Sequence, residues 1–307
     1  MKIRFRLYHP FQSPIITGQK IHIINIIKYS SFCFEEDIDS PEYIIGIQTL
    51  HHYRFYPIKP KLIRVSYMYN LPPNLDDYLY CKFVFNSEFE YNEFKKAYNK
   101  NIDYTIIPLD IDNFYIDEIL KNPYQIEIKN KLPTVFVLDN FYSSIKQTKE
   151  FLKFWYDNFM YQKYNLIFVS PHLTIEENKD NIYYISTNPN YLYALGFKYI
   201  FNEIRKRTLS MINLADIVVI PSKFESFSIL GLEALYLKKK LIVPEKCGLC
   251  DYFKIPKFKE IEDFYYLIPK VLSSSLIDTP NFEQFYSINN VIRYDNLYRE
   301  VFNDKTT

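Results

Sequence analysis

Residues 215–240 read ADIVVIPSKFESFSILGLEALYLKKK, and this stretch decides the fold. The apolar run at 217–220 has the length of a strand. Pro221 and Ser222 end it in a turn, a polar loop follows, and 230–237 has the spacing of a helix. Loops that carry a strand into a helix gather at the carboxyl edge of a parallel sheet, where α/β proteins bind ligands. Backbone amides at the start of the new helix suit an anion. Glu225 in the loop and Glu233 in the helix stand eight residues apart, a spacing that lets both carboxylates face one crevice.

Outward from this stretch, short apolar runs alternate with longer stretches of helical spacing, the pattern of an α/β protein with parallel sheets. Strands are predicted at 3–7, 43–47, 62–66, 82–86 and 104–107, with helices at 19–28 and 87–98. The second helix has Glu88, Glu90 and Glu93 towards its start and Lys95, Lys96 and Lys100 towards its end, which suits the helix dipole. The polar stretch 113–131, with Pro123 inside it and Pro133 just beyond, reads as a connection between two domains. The alternation then restarts, with strands at 134–138, 165–169, 182–185, 217–220 and 241–243. Helices are predicted at 147–159, 191–212 and 230–237, and a last amphipathic stretch at 286–302. The expected organisation is one Rossmann-like domain over 1–118, a second over 119–285, and a final helix in 286–307 that is free to return to the first.

Lys and Arg total 37 against 36 Asp and Glu, so no global basic field points to nucleic acid as the main partner. Thirty Tyr and 26 Phe accompany only five Gly, a bias of AT-rich coding that removes aromatic clusters as evidence of base stacking. It also gives weight to the remaining glycines, which stand where the backbone needs them. No run approaches the roughly 18 apolar residues of a membrane span. The charged amino terminus lacks the apolar core of a secretory signal. Four Cys are too few for a disulfide framework. The expectation is a cytoplasmic protein, for which a peripheral membrane contact needs only one basic-aromatic surface. Cys247 and Cys250 form a C-x-x-C, but no second pair completes the roughly four ligands of a zinc site, so a local disulfide or two free thiols are expected.

The stretch at 215–234 resembles the nucleotide-sugar segment of the retaining GT-B glycosyltransferases of family four (glycosyl transferases group 1). That family carries A-D-x-x-x-x-P-S and then E-x-F-x-x-x-x-x-E-A. Ala215, Asp216, Pro221, Ser222, Glu225, Phe227, Glu233 and Ala234 occupy those places in register. The resemblance implies an α/β GT-B fold, two doubly wound Rossmann-like domains facing a central cleft. It implies a hexosyltransferase-type enzyme that moves a sugar from a UDP- or GDP-sugar donor to a glycan, lipid or protein acceptor, with retention. No metal and no cofactor is implied. Glu225 is then the catalytic carboxylate at the transferred sugar, and Glu233 holds the ribose. Ser222, Lys146 and the main chain of Ser226, Phe227, Ser228, Ile229 and Leu230 complete the donor site.

The chain departs from the family pattern in places. Ser226 and Ser228 stand where the family has Gly, and Asp139 and Asn140 stand near the place of its diphosphate-binding Arg, leaving Arg205 and Arg207 as substitutes. Ser87, Ile107, Pro108, Ile111 and Asp112 match a weaker V-x-x-S to I-P-N-G-V-D passage, with Leu109 and Asp110 replacing Asn-Gly. Asp110-Ile-Asp112 falls there, away from the strand end that metal-dependent GT-A transferases use, which counts against a metal role. Gly18 lies in the loop where the family's Gly-rich segment approaches the donor. His51, His52 and Tyr67 follow strands on the acceptor side, Tyr67 where the family often has His. The competing expectation is a degenerate, non-catalytic GT-B binding or assembly module.

Overall fold

The computed structural model describes residues 2–5, 18–36, 62–64, 81–139, 145–196, 199–279 and 281–303. His51, His52, Tyr67, Asn140 and the strand expected at 43–47 lie outside the described residues. The chain divides into two compact units. One comprises Met1–Asp112, Ser226–Ile229 and Asn281–Thr307; the other comprises Asn113–Glu225 and Leu230–Pro280.

In the first unit, β1 (Lys2–Phe5) leads to α1 (Gly18–Tyr29) and β2 (Cys33–Glu36), and β1 pairs with β2 in parallel. The strand β2 was not foreseen, because CFEE carries too little apolar pattern to signal itself. A second parallel sheet runs β3 (Leu62–Arg64), β4 (Lys82–Phe85) and β5 (Asp103–Ile106) in that order. Helix α2 (Glu88–Tyr98) is capped at both ends. Ser87 Oγ accepts from the Glu90 amide, and Asn99 closes the far end at φ 46°, the left-handed conformation that terminates helices.

The second unit opens with α3 (Asn113–Leu120), which corrects the connection expected at 113–131. Ile116 is buried, while Asp117 and Glu118 beside it are exposed. After it come β6 (Thr134–Leu138), α4 (Thr148–Asp157), β7 (Asn165–Ser170), β8 (Glu177–Lys179) and β9 (Ile182–Ser186). Next are α5 (Pro189–Ala194), α6 (Ile200–Leu214), β10 (Ile217–Val219), α7 (Ile229–Tyr236), β11 (Lys240–Pro244), β12 (Lys257–Phe258) and α8 (Phe264–Ser273). The single helical stretch expected at 191–212 is thus two helices, with Gly196 at φ 86° after the first. Tyr115 Oη donates to Asn202 Oδ1 at 3.1 Å and Tyr236 Oη to Asp117 Oδ1 at 2.7 Å, tying α3 to α6 and α7.

The seven-stranded sheet has the order β12-β11-β10-β6-β7-β9-β8. Taking the parallel strands β6, β7, β9, β10, β11 and β12 as first to sixth, the order is 3-2-1-4-5-6, that of a doubly wound Rossmann-like sheet. Short β8 is antiparallel at the edge. Strands β6, β7 and β10 are apolar on both faces because helices cover both, so they read as unbroken apolar runs. On α4, Thr148, Phe151, Phe154 and Trp155 are buried at helical spacing, and the three aromatic residues share a core with Phe264 of α8.

The last helix, α9 (Ser287–Asn303), belongs to the first unit. Val291, Tyr294, Leu297 and Tyr298 form one core with Ile23 and Ile26 of α1, Val84 and Ile107. Ser30 Oγ and Ser31 Oγ donate to Asp295 at 2.5 and 2.6 Å. Among the described residues, no helix is long and apolar enough to cross a membrane.

Candidate functional site

A sheet of this order reverses direction between its first and fourth strands, here β6 and β10, and ligands bind outside the carboxyl ends of those strands. The segment after β6 carries Lys146; the segment after β10 carries Ser222 and Glu225. They meet. The Lys223 amide donates to the Ile145 carbonyl at 2.8 Å, holding the two loops together. Lys146 Nζ forms an ion pair with Glu225 Oε1, and Ser222 Oγ donates to the same oxygen at 2.8 Å.

The end of a third strand holds Glu225 by its main chain. Its amide donates to the Lys246 carbonyl at 2.9 Å, and the Gly248 amide donates to the Glu225 carbonyl at 3.0 Å. Glu225 thereby bridges Cys247 in parallel, just past β11. The side chains of Lys146 and Glu225 keep 18% and 10% of their surface exposed, so the pair is shielded yet within reach of solvent. An anion arriving here would compete with Glu225 for the lysine.

Glu233 sits on α7, buried to 1% exposure, with its carboxylate paired to the guanidinium of Arg205 on α6. It is neither a solvated nor a capping carboxylate. The Arg205 Nε is also buried and has no hydrogen-bond partner among the described residues. Arg205, which the sequence offered as a diphosphate cation, is committed to Glu233 instead. Arg207 is equally occupied. It pairs with Glu176, donates from Nε to Glu203 at 2.8 Å, and lies 4.3 Å over the ring of Tyr124. Asp139, near the place of the family's Arg, is buried and accepts from Thr148 Oγ1 at 2.5 Å and Ser170 Oγ at 2.7 Å, so it braces the end of β6.

The rest of the expected donor segment divides between backbone and core. Phe227 is fully buried with its ring centroid 6.1 Å from that of Phe285, which makes it a packing residue. The Ser226 carbonyl accepts from Ser87 Oγ at 3.1 Å. Ser228 has φ 99°, a conformation that favours glycine, so the backbone here keeps a glycine-like path although the residue is Ser. Ile229 and Leu230 open α7. Gly18 is the first residue of α1. Asp110 and Asp112 are both engaged, Asp110 with His22 and Asp112 with Lys28 at 2.5 Å and Tyr29 at 2.8 Å. Among the described residues, no cluster of His, Cys, Asp and Glu is arranged to hold a metal ion.

Sequence reasoning missed three features. Arg205 as the partner of Glu233 was legible in part, since it falls on the buried side of α6 between Ile204 and Thr208. The buried link from His22 Nδ1 to Asp110, with His22 Nε2 3.1 Å from Tyr294 Oη, had no sequence signal because its members come from distant segments. The bridge from Glu225 to Cys247 was equally silent.

The fold is an α/β fold of the GT-B kind, with Rossmann-like units. Among solved structures it is similar to OtsA in its apo form, with TM-score 0.57 and 10% identity over 100% of both chains. It is similar to Anabaena Alr3699/HepE in complex with UDP, with TM-score 0.55 and 13% identity over 99% of this chain and 100% of that one. It is also similar to sucrose-phosphate synthase from Thermosynechococcus elongatus, with TM-score 0.50 and 12% identity over 86% of this chain and 74% of that one. No protein-family model matches the sequence, and no curated protein sequence does either.

Proposed function

We propose that this chain is a retaining glycosyltransferase of family four, of hexosyltransferase type, which transfers a sugar from a nucleotide-sugar donor to a glycan, lipid or protein acceptor. One observation carries the reading: Lys146, Ser222 and Glu225 converge where the strand order of the doubly wound sheet reverses. The likeness to Anabaena HepE, a protein solved with UDP-glucose, makes UDP-glucose the first donor to try. Sparse cysteines favour a cytoplasmic setting.

In this reading the donor diphosphate takes Lys146 from Glu225. The lysine then neutralises charge that grows as the nucleoside diphosphate leaves, and amides at 226–230 add fixed dipoles. Glu225, released from its ion pair, faces the transferred sugar. Ser222 keeps that carboxylate in place. Glu233, oriented by Arg205, accepts from the ribose hydroxyls. No metal or cofactor takes part, a reading supported by the engagement of Asp110 and Asp112 elsewhere.

The test is thermal unfolding with UDP and GDP, each with and without EDTA, followed by turnover of UDP- and GDP-sugars. A nucleotide at about 100 times its dissociation constant should add about 2.7 kcal/mol of stability. EDTA should leave that gain unchanged. A gain that needs Mn²⁺ or Mg²⁺ would overturn the metal-free reading, and no gain with either nucleotide would leave a non-catalytic GT-B module.

A further inference from the structure

We propose that Cys247 and Cys250 form a site of reversible oxidation, a dithiol that peroxides close to a disulfide beside the Glu225 loop. Neither cysteine is in a disulfide; Cys247 is buried and Cys250 is half-buried. Gly248–Asp251 is a 3₁₀ turn, and the Cys250 amide donates to the Cys247 carbonyl at 3.1 Å. Residues joined across such a turn have Cα atoms within about 7 Å. Disulfides span roughly 4.4–6.8 Å between Cα atoms, so the backbone already stands where the bond requires it.

The two sulfurs have different roles. They are hydrogen-bonded to each other, and the bond from Cys247 holds the Cys250 thiol below its ordinary value. Lys257 on β12 acts the same way, against partial burial and Asp251. Burial, with the same hydrogen bond and the charge of Glu225, pushes the Cys247 thiol well up. Cys250 therefore supplies the thiolate and the accessible sulfur, and Cys247 the resolving thiol. The Cys250 thiolate attacks one peroxide oxygen, the O–O bond breaks, and hydroxide leaves as water, giving a sulfenic acid. Cys247 then attacks that sulfur, the S–O bond breaks, and a second water leaves with the Cys247 proton. Two thiols and one hydrogen peroxide become one disulfide and two waters.

Trypsin cleavage after Lys246 and Lys254 leaves both thiols on one octapeptide, CGLCDYFK. In a Cys33→Ser background, which removes an exposed competitor, peroxide should take two hydrogens from this peptide and block its alkylation, and dithiothreitol should restore both. Cys247→Ser should instead leave a dimedone-reactive sulfenic acid at Cys250. The proposal fails if both thiols stay open to alkylation after peroxide, or if Cys250 runs on to the sulfinic acid while Cys247 stays free. Because Glu225 is tied to the cysteine turn by paired main-chain hydrogen bonds, oxidation should also slow turnover of a nucleotide-sugar. That consequence rests on the glycosyltransferase reading; the mass measurement does not, so the two can fail separately.

Discussion

Lys146 and Glu225 form an ion pair, and this changes what their variants should do. Lys146→Ala should weaken UDP binding by about 1.5–3 kcal/mol, the range for a charge-assisted hydrogen bond. Glu225→Gln should do the opposite and tighten it by on the order of 1 kcal/mol, because the lysine loses its competing carboxylate. Its kcat should fall roughly 10²-fold or more, as when a group that acts in the transition state is removed. Titration calorimetry beside turnover separates the effects, and equal UDP affinities in both variants and wild type would reduce the pair to a structural contact. A few residues away, Ser228 holds φ 99° where glycine would be relaxed. Such backbone costs about 1–3 kcal/mol, part of which glycine gives back through the entropy of its unfolded chain. Ser228→Gly should therefore raise stability by about 1 kcal/mol, read as a higher urea midpoint at unchanged slope. A lower midpoint would mean that the Ser228 side chain contributes more than the backbone costs.

Helix α7 lies close on its sheet because Gly231 lets it. A Cβ on Gly231 would stand 2.5 Å from Leu249 Cδ1 and 3.3 Å from Ile220 Cδ1. Leu249 is fully buried, so it has little room to give. Gly231→Ala should cost about 1–3 kcal/mol by overpacking, despite alanine's better helix propensity. Combined with Leu249→Ala, which opens space at the same point, the loss should be smaller than the sum of the two single losses. Strict additivity in chemical denaturation would show that α7 moves away as a body. The same element carries Glu233, so its seat on the sheet also sets where that carboxylate meets Arg205.

Across the whole chain the two units differ in how they are encoded. The second holds all seven strands of its sheet and a core of its own within 113–280. The first needs both ends of the chain, because α9 supplies Val291, Tyr294, Leu297 and Tyr298 to the core around α1. A fragment of 113–280 should fold alone and unfold in one cooperative transition by circular dichroism. A fragment of 1–112 should not, and adding 281–307 as a separate peptide should restore helix content. A folded 1–112 fragment would contradict the shared core.

Apolar runs and their spacing were enough to place β6, β7, β9, β10 and α7 to within a residue or two, because strands buried on both faces must be apolar throughout. The sequence marked Glu225 within 215–240, and its resemblance to the family pattern offered Lys146 as a second donor contact. It left α3 unseen, since an eight-residue helix with one buried Ile has almost no periodicity to read. It also missed β12, a strand of two residues. Only tertiary structure decided which charges pair. Lys146 lies 79 positions from Glu225 and Arg205 lies 28 from Glu233. No local pattern couples residues so far apart; the order of strands in the sheet brings the first pair together, and the packing of α6 beside α7 the second.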